Sequence, residues 1–314
     1  LAFNQVVHSI AISSADAPLG VKSMAISSDG RRLYATAPRM TLTFGQNGWY
    51  SGGTKAPGKI LVFNIDEADR PSTGQKTNQL KWRQQIAAID ATDPNVAGTG
   101  YNPHLIVATP NPRYLAFTNF LDLNRGFATL EVINNDPLHF AAVVRSVDLN
   151  FAGANPRKPD LDIQNARGLA VTPDLAYAFV SDFHVLGFPN KPGVIPPELY
   201  AESMVGAKVG IIRDPFGLHG TPQFVAATSV VRDGFAERMA LSPNGETLFV
   251  TFRGERAEAQ GEWILDVAKI RKTFDEIFDP SRTSLKEREA ILRKLKDTPI
   301  ESNSQWPKTV IGVK

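Results

Sequence analysis

Basic side chains recur at one register of this 314-residue chain. Lys22, His104 and Arg167 each stand immediately before a fifteen-residue phrase, and Glu237 does so with Arg238 next to it. The copies of the phrase are SMAISSDGRRLYATA from Ser23, LIVATPNPRYLAFTN from Leu105, GLAVTPDLAYAFVSD from Gly168 and RMALSPNGETLFVTF from Arg238. They align without a gap. If the four are equivalent in space, the residues at that register converge, and converging cations raise the local potential for an anionic ligand. The plainer reading is of strand-end residues in water, where most Lys and Arg are found.

Other residues able to do chemistry are scattered. Trp49 and Tyr50, inside GQNGWYSGG, have rings suited to stacking on a sugar or ligand ring, or to packing beneath their own loop. Asp182, His184, Arg253 and Arg256 add polar groups where the phrases end. His8, His104, His139, His184 and His219 form no HxH or HExxH pair that would set two metal ligands on one face. Asp160, Asp162 and Asn165, and likewise Asp66, Glu67 and Asp69, resemble calcium-binding runs, but neither has the glycine and distal glutamate of an EF-hand loop. No GxSxG elbow and no phosphate-cradling glycine loop leads into a helix. With no cysteine, thiolate metal sites, disulfides and a cysteine nucleophile are excluded. The expectation is a chain with no cofactor, no metal and no assignable catalytic residue.

The phrase itself predicts a tight β-hairpin. A hydroxyl residue holds its fifth place (Ser27, Thr109, Thr172, Ser242) and Asp or Asn its seventh (Asp29, Asn111, Asp174, Asn244). Pro110, Pro173 and Pro243 preset φ for the turn, the Asp or Asn folds back on the local backbone, and Gly30 and Gly245 supply positive φ. Short β-rich runs flank each turn. A hairpin recurring at long intervals marks a repeat architecture. Further strands are expected at Lys59–Ile65 and Lys81–Ile89, Ala128–Ile133 and Phe140–Leu149, Lys208–Arg213 and Gln223–Val230, and Glu262–Val267 and Thr309–Val313, with a lone strand over residues 5–12. The unit is then a four-stranded antiparallel meander, and its radial repetition makes an all-β propeller.

The phrase resembles the signature of the YVTN family of bacterial propellers, close to SPDG followed by LYVTN. SSDGRRLYATA and SPNGETLFVTF come nearest, whereas TPNPRYLAFTN places Pro112 where glycine is usual. The resemblance implies seven blades, of which four are legible here. Missing blades, a small ring, or an unusual closure would account for the difference, and the first is expected. The whole of 1–314 then reads as one propeller domain or part of one, opening on Leu1 as a processed or incomplete sequence would.

Between Ala268 and Gln305 the pattern turns helical: Ile270, Phe274, Ile277 and Phe278 recur at helical spacing, and Ser284 with Glu287 forms a capping box. This insertion in the last blade is expected to pack on the propeller, or else to recruit a partner. In an antiparallel meander the long loops (38–58, 90–102, 150–165, 183–206) emerge with Lys22, His104 and Arg167, opposite the tight turns. Function is expected on that face. A net charge of +2 with no basic run among aromatics argues against nucleic acid, and no stretch is apolar enough for a membrane span. The expected function is a non-catalytic, extracytoplasmic binding or scaffolding module for a protein partner or small anionic ligand. The alternative is a propeller enzyme, such as the lactonases and quinoprotein or haem-linked oxidoreductases on similar folds, acting on an anionic substrate at the channel mouth.

Overall fold

The computed structural model describes residues 9–39, 43–44, 50–51, 57–70, 83–92, 102–119, 128–134, 142–149, 163, 166–182, 208–228, 234–254, 261–279, 281, 284, 286–287, 290 and 308–311. The first sheet comprises β1 (Ser23–Ile26) and β2 (Arg32–Ala37), then, after a two-stranded ribbon of β3 (Thr43–Phe44) and β4 (Tyr50–Ser51), β5 (Lys59–Asn64) and β6 (Gln84–Asp90). The second holds β7 (Pro103–Ala108), β8 (Tyr114–Asn119), β9 (Thr129–Asn134) and β10 (Ala142–Asp148). In the third are β11 (Ala166–Val171), β12 (Tyr177–Asp182), β13 (Lys208–Arg213) and β14 (Gln223–Ala227). The fourth has β15 (Gly234–Leu241), β16 (Thr247–Gly254), β17 (Gly261–Asp266) and, after the helical segment, β18 (Lys308–Ile311). Each is a four-stranded antiparallel meander in chain order, so each is a propeller blade. The fold is all-β, of the propeller type. Residues 9–12, expected within a strand, form none; the rest of that expected strand lies outside the described residues.

The hairpins form as their side chains dictate. Ser27 Oγ donates to Asp29 Oδ1 at 2.6 Å, and the same oxygen of Asp29 accepts the Arg31 amide at 3.0 Å. Thr172 with Asp174 (2.7 Å) and Ser242 with Asn244 (2.6 Å) repeat the arrangement. Gly30 and Gly245 take φ of +71° and +72°, and Leu175 holds the equivalent place at +64°. The second copy turns differently. Pro112 cannot adopt positive φ, so the turn moves on and Tyr114 donates its amide to the Asn111 carbonyl.

Blades stack through alternating apolar rows. Tyr34, Ile60 and Val62 of the first meet Ile106, Leu115 and Phe117 of the second. Leu130 and Val132 meet Leu169, Ala178 and Val180, and Tyr177, Phe179 and Ile211 meet Leu248, Val250 and Trp263. Each such buried side chain contributes roughly 2 kcal/mol. The innermost strands therefore neighbour one another in the order β1, β7, β11, β15.

Helix α1 (Val267–Phe278) starts directly from β17, with Asp266 accepting the Lys269 amide as N-cap. Ile270 and Phe274 are buried against the third and fourth blades. On the hairpin side, Tyr177 Oη donates to Asp275 at 2.9 Å, Arg271 pairs with Asp174, and the Arg213 guanidinium lies 4.4 Å from the Phe278 ring centre. This helix is thus docked on the propeller. The expected capping box also forms: Ser284 donates its amide and hydroxyl to Glu287, whose amide donates back to Ser284 Oγ at 3.3 Å.

Candidate functional site

Antiparallel pairing puts the start of each innermost strand beside the end of the second strand, away from the tight turns. A register break recurs at that end in three blades: between Pro103 and Ile106, between Ala166 and Leu169, and between Ala236 and Arg238. The residues inside these breaks are His104 with Leu105, Arg167 with Gly168, and Glu237. A bulge interrupts strict alternation and re-aims a side chain out of the sheet's two faces. In the first blade Lys22 takes the corresponding place just before β1, donating its amide to the Thr36 carbonyl at 2.9 Å.

Hydroxyl side chains clamp these bulges from behind. Thr36, wholly buried, accepts the Ser23 amide at 3.1 Å and donates across the blade gap to the His104 carbonyl at 2.6 Å. Ser181, also wholly buried, accepts the Gly168 amide at 2.7 Å and donates to the Ala236 carbonyl at 3.0 Å. Thr118 accepts the Leu105 amide at 3.2 Å. These three residues, with Thr251, occupy the fourteenth place of the phrase. That recurrence is visible in the sequence, but a lone hydroxyl in a strand belongs to no motif that would mark it as part of a site.

Side chains at the bulges do converge. Arg167 Nη1 lies 3.3 Å from His104 Nε2. Arginine can only donate, so Nε2 accepts and the imidazole carries its proton on Nδ1. Burial lowers the His104 pKa first, and the charges of Arg167, Lys22 and Arg238 lower it further, to about 3. The imidazole is neutral at physiological pH, within reach of three permanent cations. Lys22 and Arg238 are exposed, while His104 and Arg167 are half-buried. Neither Lys22 nor Arg238 forms an ion pair among the described residues.

Asp182 is placed differently from an open polar contact. It is fully buried, with Oδ2 at 3.3 Å from Nζ of the equally buried Lys208. The two face each other because the last residue of β12 pairs with the first of β13. Tyr50 belongs to β4 and Arg253 to β16. Trp49, His184 and Arg256 lie outside the described residues, as do Asp160, Asp162 and Asn165. At the other acidic run, Asp66 faces Arg31 (3.4 Å) and Glu67 faces Arg70 and Arg83 (3.6 and 3.5 Å). Among the described residues no cluster of three potential metal ligands occurs, and no helix is long and apolar enough to cross a membrane.

No family model and no curated protein matches the chain. Solved structures similar to it include a protein of unknown function from Desulfotomaculum acetoxidans DSM 771, with TM-score 0.44 and 11% identity over 79% of this chain and 51% of that one. The Cps50 (Swd1) β-propeller domain of Myceliophteria thermophila aligns with TM-score 0.41 and 10% identity over 79% of this chain and 52% of that one. The periplasmic gluconolactonase PpgL of Pseudomonas aeruginosa aligns with TM-score 0.37 and 16% identity over 78% and 68%. The chain spans about half the length of the first two.

Proposed function

We propose that the protein is a non-catalytic binding module of YVTN-type propeller kinship, working outside the cytoplasm, that takes a small anionic ligand on the face where Lys22, His104, Arg167 and Arg238 converge. The observation that carries this reading is the proximity of three permanent cations around one neutral imidazole. Two of those cations, Lys22 and Arg238, have no carboxylate partner among the described residues. An anion seated there neutralises like charges already forced together. The enzymatic alternative asks His104 to act as general base. General bases work best with a pKa near the operating pH, and a pKa of about 3 leaves little driving force for proton abstraction.

Titration calorimetry of the purified chain against inorganic phosphate and a panel of small carboxylates tests the reading. Saturable binding that weakens as salt rises is the expected result. Absence of binding across the panel, or turnover of a lactone at a rate abolished by His104→Gln, would overturn it in favour of the enzyme.

A further inference from the structure

We infer, resting on the anion site proposed above, that its ligand carries two anionic groups, one met by Arg167 and Arg238 and the other by Lys22. Two hydroxyl clamps set the spacing. Thr36 accepts the Ser23 amide, which belongs to the peptide leaving Lys22, and donates to the His104 carbonyl at 2.6 Å. One buried hydroxyl thus ties the backbone beside Lys22 to the backbone beside His104, across the gap between the first two blades. Ser181 does the same between the third and fourth. It accepts the Gly168 amide, in the peptide leaving Arg167, at 2.7 Å. It donates at 3.0 Å to the Ala236 carbonyl, two residues before Arg238. A Cβ on Gly168 would lie 2.5 Å from Ser181 Oγ, so glycine is what lets the hydroxyl reach that amide.

The middle gap is different. Thr118 takes the Leu105 amide at 3.2 Å, and among the described residues no hydroxyl bond joins the second blade's bulge to the third's. A side-chain contact spans it instead, Arg167 Nη1 to His104 Nε2 at 3.3 Å. An imidazole that accepts from a guanidinium is neutral. The innermost strands follow the order β1, β7, β11, β15. Along that arc Lys22 is positive, His104 neutral, and Arg167 and Arg238 positive. Positive charge therefore has two poles, each on clamped backbone, with an uncharged ring between them. A single anionic group seated at Arg167 and Arg238 leaves Lys22 on the far side of the imidazole. A second group on the same ligand reaches Lys22 as an intramolecular step, at a high effective concentration. The gain is greatest when the ligand's spacer matches the distance between the poles, which the clamps hold fixed. A dicarboxylate is the simplest molecule of this class.

Calorimetric titration of the full chain compares propionate, with its single carboxylate, against malonate, succinate, glutarate and adipate. One member of the series is expected to bind about tenfold more tightly than propionate, with affinity falling away from the best spacer. Lys22→Gln, at an exposed position, is expected to remove most of that advantage, because it deletes one pole. Ser181→Ala is expected to weaken propionate and the best dicarboxylate alike, and Ser181→Thr, which keeps the hydroxyl, to restore both. Propionate binding as tightly as every dicarboxylate overturns the two-group ligand and leaves the anion site standing. An advantage that survives Lys22→Gln undiminished overturns it too, and unchanged binding in Ser181→Ala overturns the role of the clamp. No saturable binding of propionate, any dicarboxylate or inorganic phosphate removes the site and the inference together. Should Ser181→Ala fail to fold by circular dichroism, the comparison of wild type with Lys22→Gln decides.

Discussion

The two ends of the innermost strands obey different rules. At the hairpin end the four copies use one chemistry, a short hydroxyl with Asp or Asn closed on its own backbone. There each polar group is already spent on the turn. Burial pushes the Asp29 pKa up, but the Ser27 hydroxyl, the Arg31 amide and the Arg31 and Arg32 charges outweigh it, leaving the carboxyl below its usual value. At the bulge end the backbone device repeats while the side chains diverge into Lys22, His104, Arg167 and Glu237. Where the architecture makes the demand, residue types agree across repeats; where it only holds a side chain in place, they are free to become a site.

The largest expected contrast concerns pH. An unfolded histidine takes up a proton near pH 6.5, whereas folded His104 refuses it until about pH 3. The unfolded state therefore binds more protons across that window, and stability falls as pH drops through it, by on the order of 4 kcal/mol. Urea titrations at stepped pH should show that slope, and His104→Gln should flatten it. A slope unchanged in the variant would mean the imidazole is not buried beside the cations.

Next come the turn glycines. Gly245→Ala combines φ of +72° with a Cβ only 2.5 Å from Pro173 Cδ of the neighbouring hairpin, and a loss of about 3 kcal/mol is expected. Gly30→Ala has the same φ problem, at +71°, but open space around it, so about 1 kcal/mol is expected. Equal melting shifts would show that the hairpins do not abut. A smaller contrast separates two threonines. Thr36→Val strands the Ser23 amide and the His104 carbonyl, at about 1–3 kcal/mol. Exposed Thr251→Val should stay within about 0.5 kcal/mol.

The turns were legible because Asp, Asn, Pro and Gly act through local backbone geometry, and a residue such as Asp174 needs nothing from the rest of the chain. The third strand of each blade was legible from apolar runs such as Lys208–Arg213, and α1 from Ile270 and Phe274. Bulges were not, since a register break is a property of two paired strands and neither alone announces it. The clamp by Thr36 and Ser181 was hidden for a related reason: its acceptors, the His104 and Ala236 carbonyls, lie in the next blade. Asp182 read as a surface group because its partner Lys208 stands beyond a long loop. Only the pairing of β12 with β13 brings the two together.

The central claim, that the bulge end gathers cations for an anion while the hairpin end does not, is tested most directly by one pair of variants. Calorimetric titration of inorganic phosphate, or whichever carboxylate binds best, should be compared in wild type, Arg167→Gln and Arg31→Gln. Arg167→Gln is expected to weaken binding about tenfold and to reduce its salt dependence, while Arg31→Gln, at the hairpin end beside Asp66, leaves both unchanged. Equal losses in the two variants, or none in Arg167→Gln, would contradict the account.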